Sequence, residues 1–247
     1  MNTIVIYPGR FQPFHLGHQA VYNFLSGRFG AENVHIGTSE LTAPIKSPFS
    51  YEDKIKMMTK LGVPASHIHR VASPYAATEI INPLPDKDNT AVIFALGAKD
   101  ADRIKWQKAD GSPGYLQPLP PGRAKLKNVN QHGYVIVVPT HNFKVKGKDA
   151  NSATQIRELY KNGNENDRQQ IITDLYGEFD PEIKEIFDRA LLPGAQIQQA
   201  VKESKNSPKK AQLIERLLAM EHNALNQADI LLFPESPADY LDEKKSI

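Results

Sequence analysis

Gly9-Arg10-Phe11-Gln12-Pro13-Phe14-His15-Leu16-Gly17-His18 follows directly on the apolar run Thr-Ile-Val-Ile-Tyr at residues 3–7. A β-type run passing through a turn into a helix start is the opening of a strand–helix unit. Gly9 and Gly17 let the backbone approach a ligand closely, and Pro13 stiffens the turn between them. His15 and His18 are three residues apart, so a helix starting here sets both imidazoles on one side. They then lie beside unpaired backbone N–H groups at the positive end of the helix dipole. Such a turn is a candidate phosphate site.

Outward from this turn, β-type runs at 3–7, 33–37, 67–72, 91–96 and 134–138 alternate with helical patterns at 17–28 and 51–61. Ser50 and Asp53 stand in capping-box spacing before the second helix. Strands alternating with helices predict an α/β fold with a Rossmann-like, doubly wound parallel sheet, whose ligand lies at the strands' carboxyl ends near a topological switch. The stretch 109–133 is rich in Pro and Gly and long for a connection, so it is either a lid or a surface excursion. Beyond residue 160 the pattern is wholly helical, at 166–176, 181–192 and 208–226, and the tail 234–247 is polar and expected to fray. Two parts are therefore expected: residues 1–160 as the Rossmann-like domain and 161–247 as a C-terminal helical region.

A second signal is Ser152-Ala-Thr-Gln-Ile-Arg157, after the last predicted strand. Ser152 with Gln155 has capping-box spacing, and Arg157 lies about one turn into the helix, where a forked cation can meet a phosphate.

The first run resembles the H-x-G-H motif of the HIGH-type nucleotidylyltransferase superfamily. Its longer form, G-R-F-Q-P-F-H-x-G-H, is most similar to the archaeal-type nicotinamide mononucleotide adenylyltransferases. Ser152, Thr154, Ile156 and Arg157 match the superfamily's second signature, S-x-T-x-[hydrophobic]-R, and Ser47-Pro48-Phe49-Ser50 resembles the N-P-F-[ST] run of the nicotinamide-type enzymes with Ser for Asn. The resemblance implies the superfamily's fold and transfer of a nucleotidyl group from ATP to a phosphate-bearing acceptor, with nicotinamide mononucleotide foremost. Phosphopantetheine, nicotinate mononucleotide, a CTP-dependent reaction, and a binding or assembly module without turnover stay open as alternatives. By resemblance His15, His18, Arg157 and Lys46 are catalytic, while Gly9, Arg10, Phe11, Gly17, Ser152 and Thr154 bind ATP. Thr38, Ser39, Asp100 and Trp106 are acceptor candidates. Trp106 enters because Glu79-Ile80-Ile81-Asn82 stands where the archaeal enzymes carry a ring-stacking aromatic. Mg²⁺ is expected on the triphosphate, with no metal ligand from protein side chains.

Composition narrows the remaining possibilities. A net charge of +2 supplies no basic surplus of the kind nucleic-acid binding needs. Zero cysteines exclude disulfides and thiolate metal sites, and no N-terminal apolar run has signal or membrane-spanning length, so a cytoplasmic protein with small-molecule partners is expected. A homo-oligomer is compatible with the sequence but not indicated by it. His67 and His69 alternate along a predicted strand but lack a third metal ligand, so they are read as ordinary strand residues. His35, His132, His141 and His222 have no evident partner in the sequence.

Overall fold

The computed structural model describes residues 1–43, 46–102, 104–122, 126–139, 144–150 and 152–192. The sequence-predicted helix at 208–226, the tail, His141 and His222 lie outside them. Six strands form one sheet: β1 (Asn2–Pro8), β2 (Val34–Thr38), β3 (Ile68–Arg70), β4 (Thr90–Leu96), β5 (Leu116–Pro118) and β6 (Gly133–Val137). Every pairing is parallel, in the order β3-β2-β1-β4-β6-β5. The chain moves outward from β1 to β3 and then returns to the other side of β1 as β4. The switch point therefore falls between β1 and β4, where parallel sheets of this kind bind ligands.

The period-two geometry of a strand sends alternate side chains into two cores. Val5 and Tyr7 of β1, with Ile93 and Ala95 of β4, face helices α1 (Leu16–Phe29) and α2 (Tyr51–Lys60). Ile6, Val92, Phe94 and Leu96 face the opposite side, with the short helices α3 (Thr78–Ile81) and α4 (Ala98–Ala101). β4 is buried along its whole length, as its continuous apolar run requires. The Ser50 and Asp53 capping box at the start of α2 forms as predicted. Four-residue α3 and α4 carry too little periodicity to be found in a sequence.

A two-stranded hairpin, β7 (Lys144–Val145) with β8 (Lys148–Asp149), precedes α5 (Ala153–Asn162), α6 (Glu165–Tyr176) and α7 (Pro181–Leu191). The first compact unit runs to Leu192, whereas the sequence pattern put a boundary at 160. That boundary falls inside α5, and Ile156, Tyr160, Ile171, Leu175, Ile186 and Phe187 share the core with β1 and α1. Lys60 pairs with Glu178 and Asp180 at 2.7 and 2.8 Å, and Arg189 pairs with Asp53, so α7 is also held to α2 by charge. The 109–133 stretch contributes the edge strand β5. Tyr115 donates to the Val129 carbonyl at 2.8 Å, and the Val129 N–H to Thr90, which ties the described part of this stretch to the sheet. Among the described residues no helix is long and apolar enough to cross a membrane.

At the amino-terminal side of β2 and β3, His35 meets His67 and His69. His35 Nδ1 lies 2.9 Å from His69 Nε2, its ring centroid is 5.5 Å from that of His67, and the Tyr22 hydroxyl reaches His67 Nδ1 at 3.0 Å. Burial, then the nearby His69 and His67, push His35 down to about 4, and burial followed by His67 lowers His69. These imidazoles stay neutral in the fold but take a proton in the unfolded chain near pH 6.5. Stability is therefore full above that value and declines as pH falls towards 4. We expect the melting temperature to drop between pH 7 and pH 5, and His35→Asn to make that drop smaller. Thermal melts at the two pH values check this; equal slopes in both proteins would contradict it.

Candidate functional site

The β1 strand ends at Pro8, and Gly9 donates its N–H to the Gly37 carbonyl at the end of β2 at 3.0 Å. A Cβ on Gly9 would stand 2.7 Å from the Phe11 ring, so only glycine lets that ring lie over the turn. Phe11 has a φ of 47°, a left-handed conformation that costs a non-glycine residue about 1–2 kcal/mol. Aromatic packing holds it there: its ring meets Tyr7, Phe14 and His18 at centroid distances of 5.2, 5.4 and 5.1 Å. Phe11 is thus a buried wedge that shapes the turn.

His15 caps α1, with Nδ1 accepting from the Gly17 N–H at 3.1 Å. A neutral imidazole that accepts at Nδ1 carries its proton on Nε2. Burial, and next the neighbouring His18, hold His15 well below its ordinary pKa, so it is a neutral Nε2–H donor at pH 7. The two imidazoles lie 3.9 Å apart, and His18 stacks on Phe14 at 5.4 Å. Burial pushes His18 down to about 4, and its Nδ1 is buried without a hydrogen-bond partner among the described residues. An unpaired buried lone pair costs less than an unpaired N–H, which places its proton on Nε2 as well.

Arg157 joins the second motif to this turn. Its side chain is 5% exposed, its Nη1 donates to the Gln12 carbonyl at 2.8 Å across 145 residues of sequence, and its Nη2 donates to Thr154 Oγ1 at 3.2 Å. Burial, and then the charge of Arg10, lower Arg157 below the usual guanidinium range. Among the described residues neither arginine is paired with a carboxylate. A buried guanidinium crowded by a second positive charge is relieved by an anion that meets both. Ser152 caps α5 by accepting from the Gln155 N–H at 3.2 Å, while the Gln155 amide goes to the Asp149 carbonyl instead of completing a capping box.

Other sequence-predicted residues lie around this centre. Thr38 and Ser39 are buried at the end of β2, where the Thr38 hydroxyl accepts from Lys54 at 3.1 Å and donates to the Arg10 carbonyl at 3.5 Å. Asp100 is half-buried in α4, just past the end of β4. Lys46 is exposed in a tight turn whose flanks, Ala43 and Ser47, exchange hydrogen bonds of 2.9 Å. Trp106 packs against the core on the α3 and α4 side, and its carbonyl accepts from Gly114 and Gln117.

Two residues escaped the sequence reading. Gln12 is buried and clamps Phe49 at both ends, through Nε2 to the carbonyl at 3.0 Å and the N–H to Oε1 at 2.9 Å. It locks the histidine turn to the loop that opens α2. Lys54 is fully buried, donates to Thr38 and the Ser39 carbonyl, and is lowered to about 8 by burial. Its place on the stripe Lys54, Met57, Met58, Leu61 is the signal that finds it, because a lysine at a core position of a helix needs an interior partner.

Among the described residues no group of three or more His, Asp or Glu is placed to hold a metal ion. The donors at the turn are imidazole N–H groups, guanidinium groups and the N–H groups of the α1 start, a set suited to an anion's oxygens.

Parts of this chain are similar to known proteins. A nicotinamide-nucleotide adenylyltransferase of Sulfurisphaera tokodaii is 38% identical over 55 residues, 22% of this chain and 32% of that protein. One of Saccharolobus solfataricus is 32% identical over 73 residues, covering 28% of this chain and 42% of its own length. The matches thus span about a third to two fifths of these relatives. A solved bifunctional NMN adenylyltransferase/ADP ribose pyrophosphatase of Francisella tularensis has a TM-score of 0.46 at 17% identity, over 84% of this chain and 58% of that one. The model of the cytidylyltransferase-like family matches residues 6–159, from the middle of β1 to beyond Arg157, and so takes in both converging motifs. With well over half of its length in that match, this chain belongs to the cytidylyltransferase-like family.

Proposed function

We propose that this chain is an adenylyltransferase that joins ATP to nicotinamide mononucleotide, giving NAD and pyrophosphate. The observation that carries the reading is the 2.8 Å bond from Arg157 to Gln12, which draws the Ser152–Arg157 cluster onto the turn bearing His15 and His18. The names of the two archaeal relatives favour nicotinamide mononucleotide as acceptor.

In this reading an oxygen of the acceptor's phosphate attacks the α-phosphorus of ATP. The bond from that phosphorus to the bridging oxygen breaks, and pyrophosphate leaves with the electron pair. A phosphate monoester loses its second proton near pH 6, so the nucleophile is ready without a general base. The protein's task is to hold two anions in line and to meet the charge that grows on the phosphoryl oxygens. His15 and His18 donate from Nε2 as neutral groups, and Arg157 with Arg10 adds positive charge. The helix start at Leu16 adds backbone N–H groups. The residues present fit the triphosphate; Mg²⁺ would be carried by its oxygens, where it neutralises negative charge. Lys54 holds the Arg10 backbone through Thr38 and stays outside the reacting atoms.

The test is pyrophosphate release from ATP or CTP with nicotinamide mononucleotide, nicotinate mononucleotide and phosphopantetheine. We expect release with ATP and nicotinamide mononucleotide to exceed every other pair. Preference for another acceptor would move the substrate assignment, and binding of ATP without release from any pair would make the chain a binding module.

A further inference from the structure

We infer that Tyr176, at the end of α6, is a positioning residue for the histidine turn, so that the helices beyond the family match complete the site. Tyr176 is buried, and its hydroxyl donates to the Phe14 carbonyl at 2.8 Å across 162 residues of sequence. The inference rests on the adenylyltransferase reading for its effect on catalysis, but its geometry stands on these contacts alone.

The Phe14 carbonyl belongs to the peptide unit that leads into His15. It precedes the cap of α1 and takes no part in the helix's own bonding, whose first acceptor is the His15 carbonyl. Without Tyr176 this carbonyl would lack its interior partner, and the peptide plane before His15 would be free to turn. That plane sets where the His15 imidazole starts, and His15 Nδ1 is already committed to Gly17. The Phe14 ring carries the stacked His18. One hydroxyl thus fixes the backbone beneath both imidazoles.

Tyr176 is itself held firmly. Its ring meets Phe187 of α7 edge-on at 6.4 Å, and Ile171, Ile172 and Leu175 share the core around it. Gly177, at a φ of 85°, ends α6 beside Leu16, where an added Cβ would stand 3.9 Å from the Leu16 side chain. The end of α6 therefore abuts the first residue of α1. A rigid support of this kind matters because a displacement of about 1 Å at a reacting group lowers turnover on the order of a hundredfold.

Tyr176→Phe removes the donor and keeps the ring. Tyr160→Phe is the control: Tyr160 is a second core tyrosine whose hydroxyl goes to Asp188 at 2.7 Å, away from the turn. In the full chain we expect Tyr176→Phe to shift the ¹⁵N signals of the His15 ring, leave those of His35 and His69 in place, and weaken MgATP binding about tenfold or more. Turnover should fall by a similar factor, with the KM for the acceptor little changed. Tyr160→Phe should lower the melting temperature while the His15 signals and MgATP binding match wild type. Equal behaviour of the two variants in ring signals and MgATP binding would make Tyr176 a purely structural residue and overturn the inference. Should Tyr176→Phe not fold, 3-fluorotyrosine at position 176 keeps the hydroxyl and strengthens it as a donor at the cost of one small ring substituent. Movement of the His15 signals then supports the role, and unmoved signals reject it. A wild-type protein that releases no pyrophosphate sinks the adenylyltransferase reading, yet the ring signals and MgATP binding still decide the role of Tyr176.

Discussion

His18→Ala should lower turnover about 10²–10³-fold, equivalent to roughly 3–4 kcal/mol of lost transition-state stabilisation, while the protein still folds. His18 Nε2 is a donor held by stacking on Phe14 and by the edge of Phe11, in surroundings that keep the ring neutral. A preorganised donor of this kind needs no reorientation as charge develops, which is why its loss falls on turnover more than on binding. Folding should survive because two effects oppose one another. The variant loses ring contacts with Phe14 and Phe11, but it also removes a buried nitrogen that has no partner among the described residues. Steady-state kinetics with ATP and nicotinamide mononucleotide, alongside a thermal melt, check both halves. A well-folded variant whose turnover stays within about threefold of wild type would remove His18 from the chemistry.

Arg157→Ala should cost as much or more in kcat/KM and, unlike the His18 variant, should also lower the melting temperature. In the adenylyltransferase reading the side chain does two jobs with one fork: it brings charge to the phosphates, and it binds the Gln12 carbonyl in the interior. Truncation leaves that carbonyl unsatisfied, at a cost of about 1–3 kcal/mol. Arg157→Lys separates the two jobs. Lysine keeps the charge but cannot reach Gln12 and Thr154 together with a planar fork, so part of the activity should return while most of the positioning is lost. Alanine and lysine variants with the same kcat/KM would show that charge contributes nothing, and an alanine variant with wild-type activity would break the link between the two motifs.

The strands β1, β2, β3, β4 and β6 were legible in the sequence to within two residues at either end, because four of them are apolar runs bounded by turn residues and β3 alternates apolar with polar residues. β5 was not. Leu116, Gln117 and Pro118 have no strand signature, and they are a strand only because β6 offers them a parallel partner. The helical patterns at 166–176 and 181–192 did not show that α6 and α7 share one core with β1 and α1, which is why the boundary was drawn near residue 160. Gln12 and Lys54 were missed for a related reason: their partners, Phe49 and Thr38, are 37 and 16 residues away in the chain and meet them only through the fold.

The sequence alone determined most of the local units: where the five main strands and the longer helices begin, which of those helices are capped, and that the turn from Gly9 to His18 and the run from Ser152 to Arg157 each carry groups suited to phosphate. These follow from bonding within a few residues and from apolar periodicity, which a linear chain displays directly. Only the tertiary structure decided that the two runs meet, through the bond from Arg157 to Gln12, that His35 joins His67 and His69, and that α6 bears on the backbone before His15. Each depends on the register of parallel strands and on helix docking, where burial of apolar surface selects a neighbour that no local pattern names.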